Sequence, residues 1–296
     1  MLKKVIQSVM FLSIIIVMSG ASAEIINPSA GNKTRSMETN YPSWQYPVTQ
    51  TVEVNASKLP ALREEDLVGS YQQPLWTAAR RFPTTRVYIL PESKIDAEYW
   101  NRTTYNKDGT RDYRNMYEVE FGLPHRFQVD IYYRTDESSK DDIVHPSEQY
   151  EMRYAFADWG KLPGNPTVYF EFIRHHDEPN QIEPKLLLGG DFEQMWHWAV
   201  NFVAECQTSG DLEREYQVCN GLSYTLLDYK LAVGVEGREV FTDAKQDRGS
   251  FTTEIVLGPS FQYRPITHCY VNFAPLVGVT DESPDAQLWL NAGYEF

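Results

Sequence analysis

The final ten residues read Gln287-Leu-Trp-Leu-Asn-Ala-Gly-Tyr-Glu-Phe296, and their pattern decides the fold. Leu288, Leu290, Ala292, Tyr294 and Phe296 share one face of an extended strand. Gln287, Asn291, Gly293 and Glu295 share the other, with Trp289 as the one misfit. Strict alternation up to an aromatic end suits a strand with one face in lipid and one in a polar lumen. An edge strand of a soluble sandwich has the same period. This strand alone does not choose between them, so the rest of the chain has to.

The opposite end reads Met1-Leu2-Lys3-Lys4, then an apolar run from Val5 to Met18, then Gly20-Ala21-Ser22-Ala23. A charged start, a short apolar run and an Ala-Ser-Ala site predict a secretory signal over 1–23, cut before Glu24. Losing Lys3 and Lys4 takes the formal net charge from −14 to −16. So acidic a surface argues against nucleic acid as a partner. No later stretch is apolar for long enough to cross a membrane as a helix, so any span must be β. Cys206, Cys219 and Cys269 cannot all pair within the chain, and strand parity sets Cys206 and Cys219 on opposite faces.

Residues 24–84 show no clean period. They hold turn formers, a possible strand Thr49–Val54 and a short helical candidate, 60–67, and read as a periplasmic or luminal arm. Residues 85–296 alternate persistently. Strands are expected at about 86–101 (interrupted by Pro91), 115–122, 126–134, 149–157, 166–174, 182–190, 195–206, 213–226, 230–241, 251–263 and 268–279. The closing strand makes twelve. The expected connections are short after even-numbered strands and longer and polar after most odd-numbered ones, as in Thr103–Asn115 and Thr135–Ser147. Tight turns on one rim and longer loops on the other are what an even-stranded outer-membrane barrel requires, and a sandwich has no reason for them. The fold expected is all-β: a transmembrane antiparallel β-barrel of about twelve strands with an N-terminal arm.

Three stretches then carry a family resemblance: GLPHRFQVDIYY (Gly122–Tyr133), FQYRP (Phe261–Pro265) and PLVGVTDESPDAQLWLNAGYEF (Pro275–Phe296). They resemble a bacterial outer-membrane channel family named for the MetA pathway of phenol degradation. The resemblance covers the barrel and not the arm, and its motifs are structural. It implies an outer-membrane channel with a role in uptake of hydrophobic compounds. The last strand is also similar to the closing strand of Gram-negative barrels. That implies that Tyr294 and Phe296 belong to the signal read by the barrel-assembly machinery.

No catalytic constellation accompanies this pattern, and the chain is not expected to be an enzyme. His197 has luminal parity between outward Trp196 and Trp198, with no outward Ser beside it. His175-His176-Asp177 reads as a solvated turn rather than a metal site. The acidic loops Asp136–Asp142 and Asp281–Asp285 lack the EF-hand order of ligands. They are expected to face solvent and to meet lipopolysaccharide phosphates through divalent cations. No metal or other cofactor is called for. The expected partners are outer-membrane lipid, lipopolysaccharide, the assembly machinery and a small solute. Trp196, Trp198, Tyr216, Tyr224, Tyr263 and Tyr294 are candidates for interfacial girdles.

The luminal parity holds twelve acids: Asp96, Glu98, Glu118, Glu120, Asp130, Glu151, Glu171, Glu205, Glu215, Glu236, Glu254 and Glu295. Against them stand four bases, Arg134, Arg153, Lys185 and Arg238. These predict an acidic, cation-preferring pore lining. In a narrow barrel such a lining is strained by like-charge repulsion unless mobile cations or a basic segment neutralise it. Trp76–Arg86 carries Arg80, Arg81 and Arg86 with no acid, immediately before the first strand. It is a candidate plug that enters the periplasmic mouth and pairs Arg80 or Arg81 with luminal carboxylates; a solvated linker is the alternative. Two other functions stay open at this point: a structural outer-membrane barrel with a filled lumen, and a soluble secreted β-protein.

Overall fold

The computed structural model describes residues 63–141, 143–227 and 230–296. The signal segment, the Thr49–Val54 strand and residues 60–62 of the helical candidate lie outside them. Twelve strands close into one antiparallel barrel. They are β1 (Ile95–Tyr105), β2 (Arg111–Leu123), β3 (Phe127–Ser138), β4 (Val144–Ala155), β5 (Thr167–His175) and β6 (Gln181–Phe192), followed by β7 (Trp196–Gln207), β8 (Arg214–Leu227), β9 (Leu231–Asp243), β10 (Thr252–Ile266), β11 (Cys269–Gly278) and β12 (Ala286–Glu295). The C-terminal strand closes the ring on the first, with Glu295 opposite Asp96 and Ala286 opposite Tyr105. Closure leaves no sheet edge unpaired, which a β-structure in lipid requires.

Alternation then sorts the side chains. Tyr117, Ile131, Tyr133, Met152, Phe170, Leu257, Phe273 and Val277 stand exposed on the outer wall. Their neighbours one residue along, among them Glu118, Asp130, Glu151 and Asn272, are buried inside. A continuous apolar exterior around a polar interior has no stable place in water and fits a bilayer. Cys206 is outward and Cys219 inward, and both are free, as is Cys269.

The strands run further than their apolar pattern suggested. Thr103–Asn115 and Thr135–Ser147, expected as long loops, are mostly strand, and the far-rim connections shrink to 106–110, 139–143, 176–180, 208–213, 244–251 and 279–285. The cause is physical: beyond the lipid a strand is polar on both faces, so its period vanishes while its backbone pairing continues. The rim that carries the barrel's termini has short turns at 124–126, 193–195 and 267–268, and β8 and β9 lie three residues apart in the chain. It also has the longest connection of all, 156–166.

Residues 86–94, expected to begin the first strand, do not enter the wall. Together with the described part of the arm they form an inner segment, 63–94. Leu67–Val68 pairs with Gln73–Pro74, one 3-10 turn spans Leu75–Thr77, and the chain then runs without regular structure, through a turn at 91–94, to the start of β1. Arg63–Leu67, the described part of the helical candidate, is a turn leading into that small hairpin. The main buried cluster joins Tyr71, Trp76, Phe82, Val87, Tyr88 and Ile89 of this segment to Ala155 and Ala199 of the wall. The barrel therefore has a core, and the inner segment provides most of it.

Candidate functional site: a plugged lumen and its vestibule

An extended segment inside a barrel must satisfy its backbone polar groups without strand partners. Here luminal side chains of the wall do so. Asn201 accepts from the Arg86 N–H and donates to the Arg86 carbonyl, each at 2.7 Å. Gln262 and Asn272 both donate to the Arg80 carbonyl, at 2.7 and 3.0 Å. Glu236 accepts from the Thr84 N–H at 2.8 Å, and Gln128 accepts from the Leu90 N–H. Small luminal residues open room for the segment's side chains. A Cβ on Gly221 would sit 2.7 Å from the Phe82 ring, and one on Gly189 would sit 2.8 Å from Val87 Cγ1.

The three sequence-selected arginines lie buried or nearly so in this lumen. Arg80 donates to Glu98 at 2.7 Å, lies 3.3 Å from Glu118 and stacks over the Trp100 ring at 3.3 Å. Arg86 pairs with Glu118 and, at 2.7 Å, with Glu120. Arg153 of β4 completes the cluster through Glu151 and, at 2.9 Å, Asp130. The Tyr270 hydroxyl bridges Asp96, at 2.7 Å, and Glu98. The wall alone sets Asp96, Glu98, Glu118, Glu120, Asp130 and Glu151 against Arg153; the segment adds Arg80 and Arg86. Two triads of these carboxylates, Glu98–Glu118–Glu120 and Glu118–Asp130–Glu151, have ligand atoms within 4.8 Å of one another. Guanidinium groups are already bonded to both triads.

Of the two arginines offered for luminal carboxylates, Arg80 meets those of the wall and Arg81 meets another. It pairs at 2.7 Å with Glu64, which belongs to the arm itself, and bonds the wall only through the neutral Ser223, Gln262 and Thr225. Glu64 is a hub, also meeting His197 Nε2 at 3.1 Å and accepting from Thr225. Burial pushes its carboxyl up, but Arg81 beside it and the bonds from His197, Thr225 and Arg81 win and bring it to about 2. His197 is thus a positioning residue, held from behind by Asp191 at 2.7 Å and stacked on Trp76 at 4.4 Å. The long connection 156–166 folds against the same cluster. Trp159 meets Trp76 and Tyr88 edge-on, at 5.7 and 5.2 Å, and its N–H donates to the Tyr71 carbonyl.

Above this segment the lumen widens into a cavity of about 750 Å³ that reaches the far-rim loops. Arg80, Thr84, Arg86 and Trp100 form its floor. Of the sequence-selected lining, Arg134, Glu171, Lys185, Glu205, Glu215, Arg238 and Glu254 border it. Glu236 sits below, bonded to Thr84, and Glu295 lies at the terminal rim, paired with Arg264 at 2.7 Å. Tyr294 and Phe296 are exposed on the outer wall of that rim and pack edge-on, with the Phe296 N–H donating to the Ile95 carbonyl.

Sequence reasoning missed Glu64, Glu183, Arg102 and Arg114. Glu64 lies in an aperiodic stretch and Glu183 in the least regular strand; Arg102 and Arg114 fall at or within the stretch expected to be a loop. The misfit Trp289 resolves as an inward residue. It joins Trp100, Val256, Ala274, Leu276 and Met116 in an apolar seam on the luminal wall. Among the girdle candidates, Trp196, Tyr216, Tyr263 and Tyr294 are exposed on the outer wall. Trp198 is buried instead, lying against Gly190 and stacked on Phe192 at 6.3 Å.

No family model matches the chain, and no curated protein matches it. Among solved structures, an outer membrane channel from Pseudomonas putida F1 is similar with a TM-score of 0.51 at 9% identity, over 71% of this chain and 98% of that one. The KdgM porin (0.48, 10% identity, 68% of this chain and 99% of that one) and the NanC porin (0.46, 14%, 68% and 98%) lie below 0.5 and add no weight. The likeness carries the fold alone: a closed antiparallel β-barrel.

Proposed function

We propose that this chain is an outer-membrane channel whose lumen is stoppered on the periplasmic side by its own N-terminal arm. The observation that carries this reading is the division of the lumen into a packed half, filled by residues 63–94, and an open half. The termini lie at the packed end, so the vestibule faces outward when they are periplasmic. Its lining has eleven carboxyl groups against eight Lys and Arg side chains. That surplus supports a preference for cationic solutes. The apolar seam and the resemblance to the MetA-pathway channel family support a solute with some hydrocarbon in it. Outer-membrane lipid surrounds the apolar wall, the acidic rim meets lipopolysaccharide, and Tyr294 with Phe296 addresses the assembly machinery.

Orientation is the first test. Epitope tags placed in 106–110 and 139–143 should label on intact cells, whereas a tag in 193–195 should label only after the outer membrane is permeabilised. The reverse pattern would turn the vestibule inward and end this reading.

A further inference from the structure

The vestibule's charges are sorted by strand. Arg102, Arg114 and Arg134 of β1–β3 border the cavity side by side, with Arg102 directly opposite Arg114 in the register. One carboxylate serves two of them: Asp136 pairs with Arg114 at 2.6 Å and with Arg134. Among the described residues Arg102 has no ion pair or hydrogen bond. Its buried Nε is without a partner, and its guanidinium lies 5.4 Å from the Trp289 ring. Across the ring, β7 and β8 present Glu205 and Glu215 opposite each other, and β6 adds Glu183. Lys185 pairs with Glu183 and with Glu171 at 3.4 Å, while Glu205 and Glu215 meet no base within ion-pair distance among the described residues. In a twelve-stranded ring β2 and β8 are diametrically placed. Both groups sit within a few residues of the far ends of their strands, so they face one another at one height. Between them the lining is partly apolar, with Met116, Ile173, Val203 and Trp289.

An unpaired guanidinium beside two that share one carboxylate on one wall, and two carboxylates with no base in reach on the other, with apolar surface between, define a ligand class. We propose that the vestibule binds a small zwitterion, its carboxylate on Arg102 and Arg114, its ammonium on Glu205 and Glu215, and a short hydrocarbon spacer across the apolar lining. This rests on the channel reading, since it names the solute class of the same cavity.

The test is calorimetric titration of the folded full chain in detergent at low ionic strength, which needs no conductance. The probes are glycine, 4-aminobutyrate and 6-aminohexanoate, with hexanoate and hexylamine as single-charge references. At least one zwitterion should bind about tenfold or more tighter than both references, a difference of about 1.4 kcal/mol. Arg102→Gln and Glu205→Gln should each remove about that factor, and Lys107→Gln at the outer rim should not. Heat-modifiable migration confirms that each variant is folded. Hexanoate binding as tightly as every zwitterion would reduce the site to an anion site and overturn the proposal, as would zwitterion binding that ignores both substitutions. Zwitterion binding in a protein that never conducts would refute the channel and leave this site standing.

Discussion

Deleting residues 24–83 should raise single-channel conductance in planar bilayers several-fold and sharpen cation selectivity. The deletion removes Trp76 and Phe82, which fill the packed half of the lumen, together with Arg80 and Arg81. Glu98 and Glu118 then lose one guanidinium partner each, and the exposed wall becomes more acidic. Reversal potentials under a salt gradient should shift toward the cation limit. Unchanged conductance in a barrel shown to be folded by its gel migration would place the arm outside the conduction path.

Leu257→Arg should largely abolish assembly. Leu257 stands half exposed on the outer wall of β10, and an arginine near the bilayer midplane costs about 2–4 kcal/mol. Asn201→Arg tests the other face and gives a different defect. Parity alone predicts that a luminal Asn tolerates this change well. The structure shows Asn201 buried and bonded to both backbone groups of Arg86. A guanidinium there displaces the segment and sets a third cation beside Arg80 and Arg86. The Asn201 variant should therefore insert and show heat-modifiable migration, yet conduct more than the parent. Loss of insertion in both variants would mean that the segment is essential to the barrel's own stability. Normal insertion of Leu257→Arg would mean that the outer face is not in lipid.

What was legible in the sequence followed from the side-chain period. Lipid and lumen impose opposite demands on successive residues, so twelve strands and their facing could be read from alternation alone. Strand ends could not, because Thr103–Tyr105 and Arg111–Asn115 lie where neither face meets lipid. Arg102 and Arg114, at that boundary, were accordingly lost as site residues. Trp289 looked like an error of pattern because parity assumes a polar lumen, and this lumen carries an apolar seam. The Arg80–Arg86 stretch stood out because three bases without an acid precede a wall rich in acids. Glu64 had no such context: one of three consecutive acids, Glu64-Glu65-Asp66, in an aperiodic stretch, it reveals nothing until folding sets it between Arg81 and His197.

The central claim is that the inner segment 63–94 lies inside the barrel against the wall, and a disulfide tests it most directly. With Cys206, Cys219 and Cys269 replaced by Ser, Val87→Cys and Gly189→Cys form the pair. The Cβ of residue 189 falls 2.8 Å from Val87 Cγ1, a spacing compatible with the roughly 3.5–4.5 Å between Cβ atoms that a disulfide needs. The folded protein should oxidise to an intramolecular bond in near-quantitative yield, and conductance in bilayers should stay as low as the parent's with or without reductant. No bond, with both thiols open to a water-soluble maleimide in the folded protein, would contradict the plugged channel.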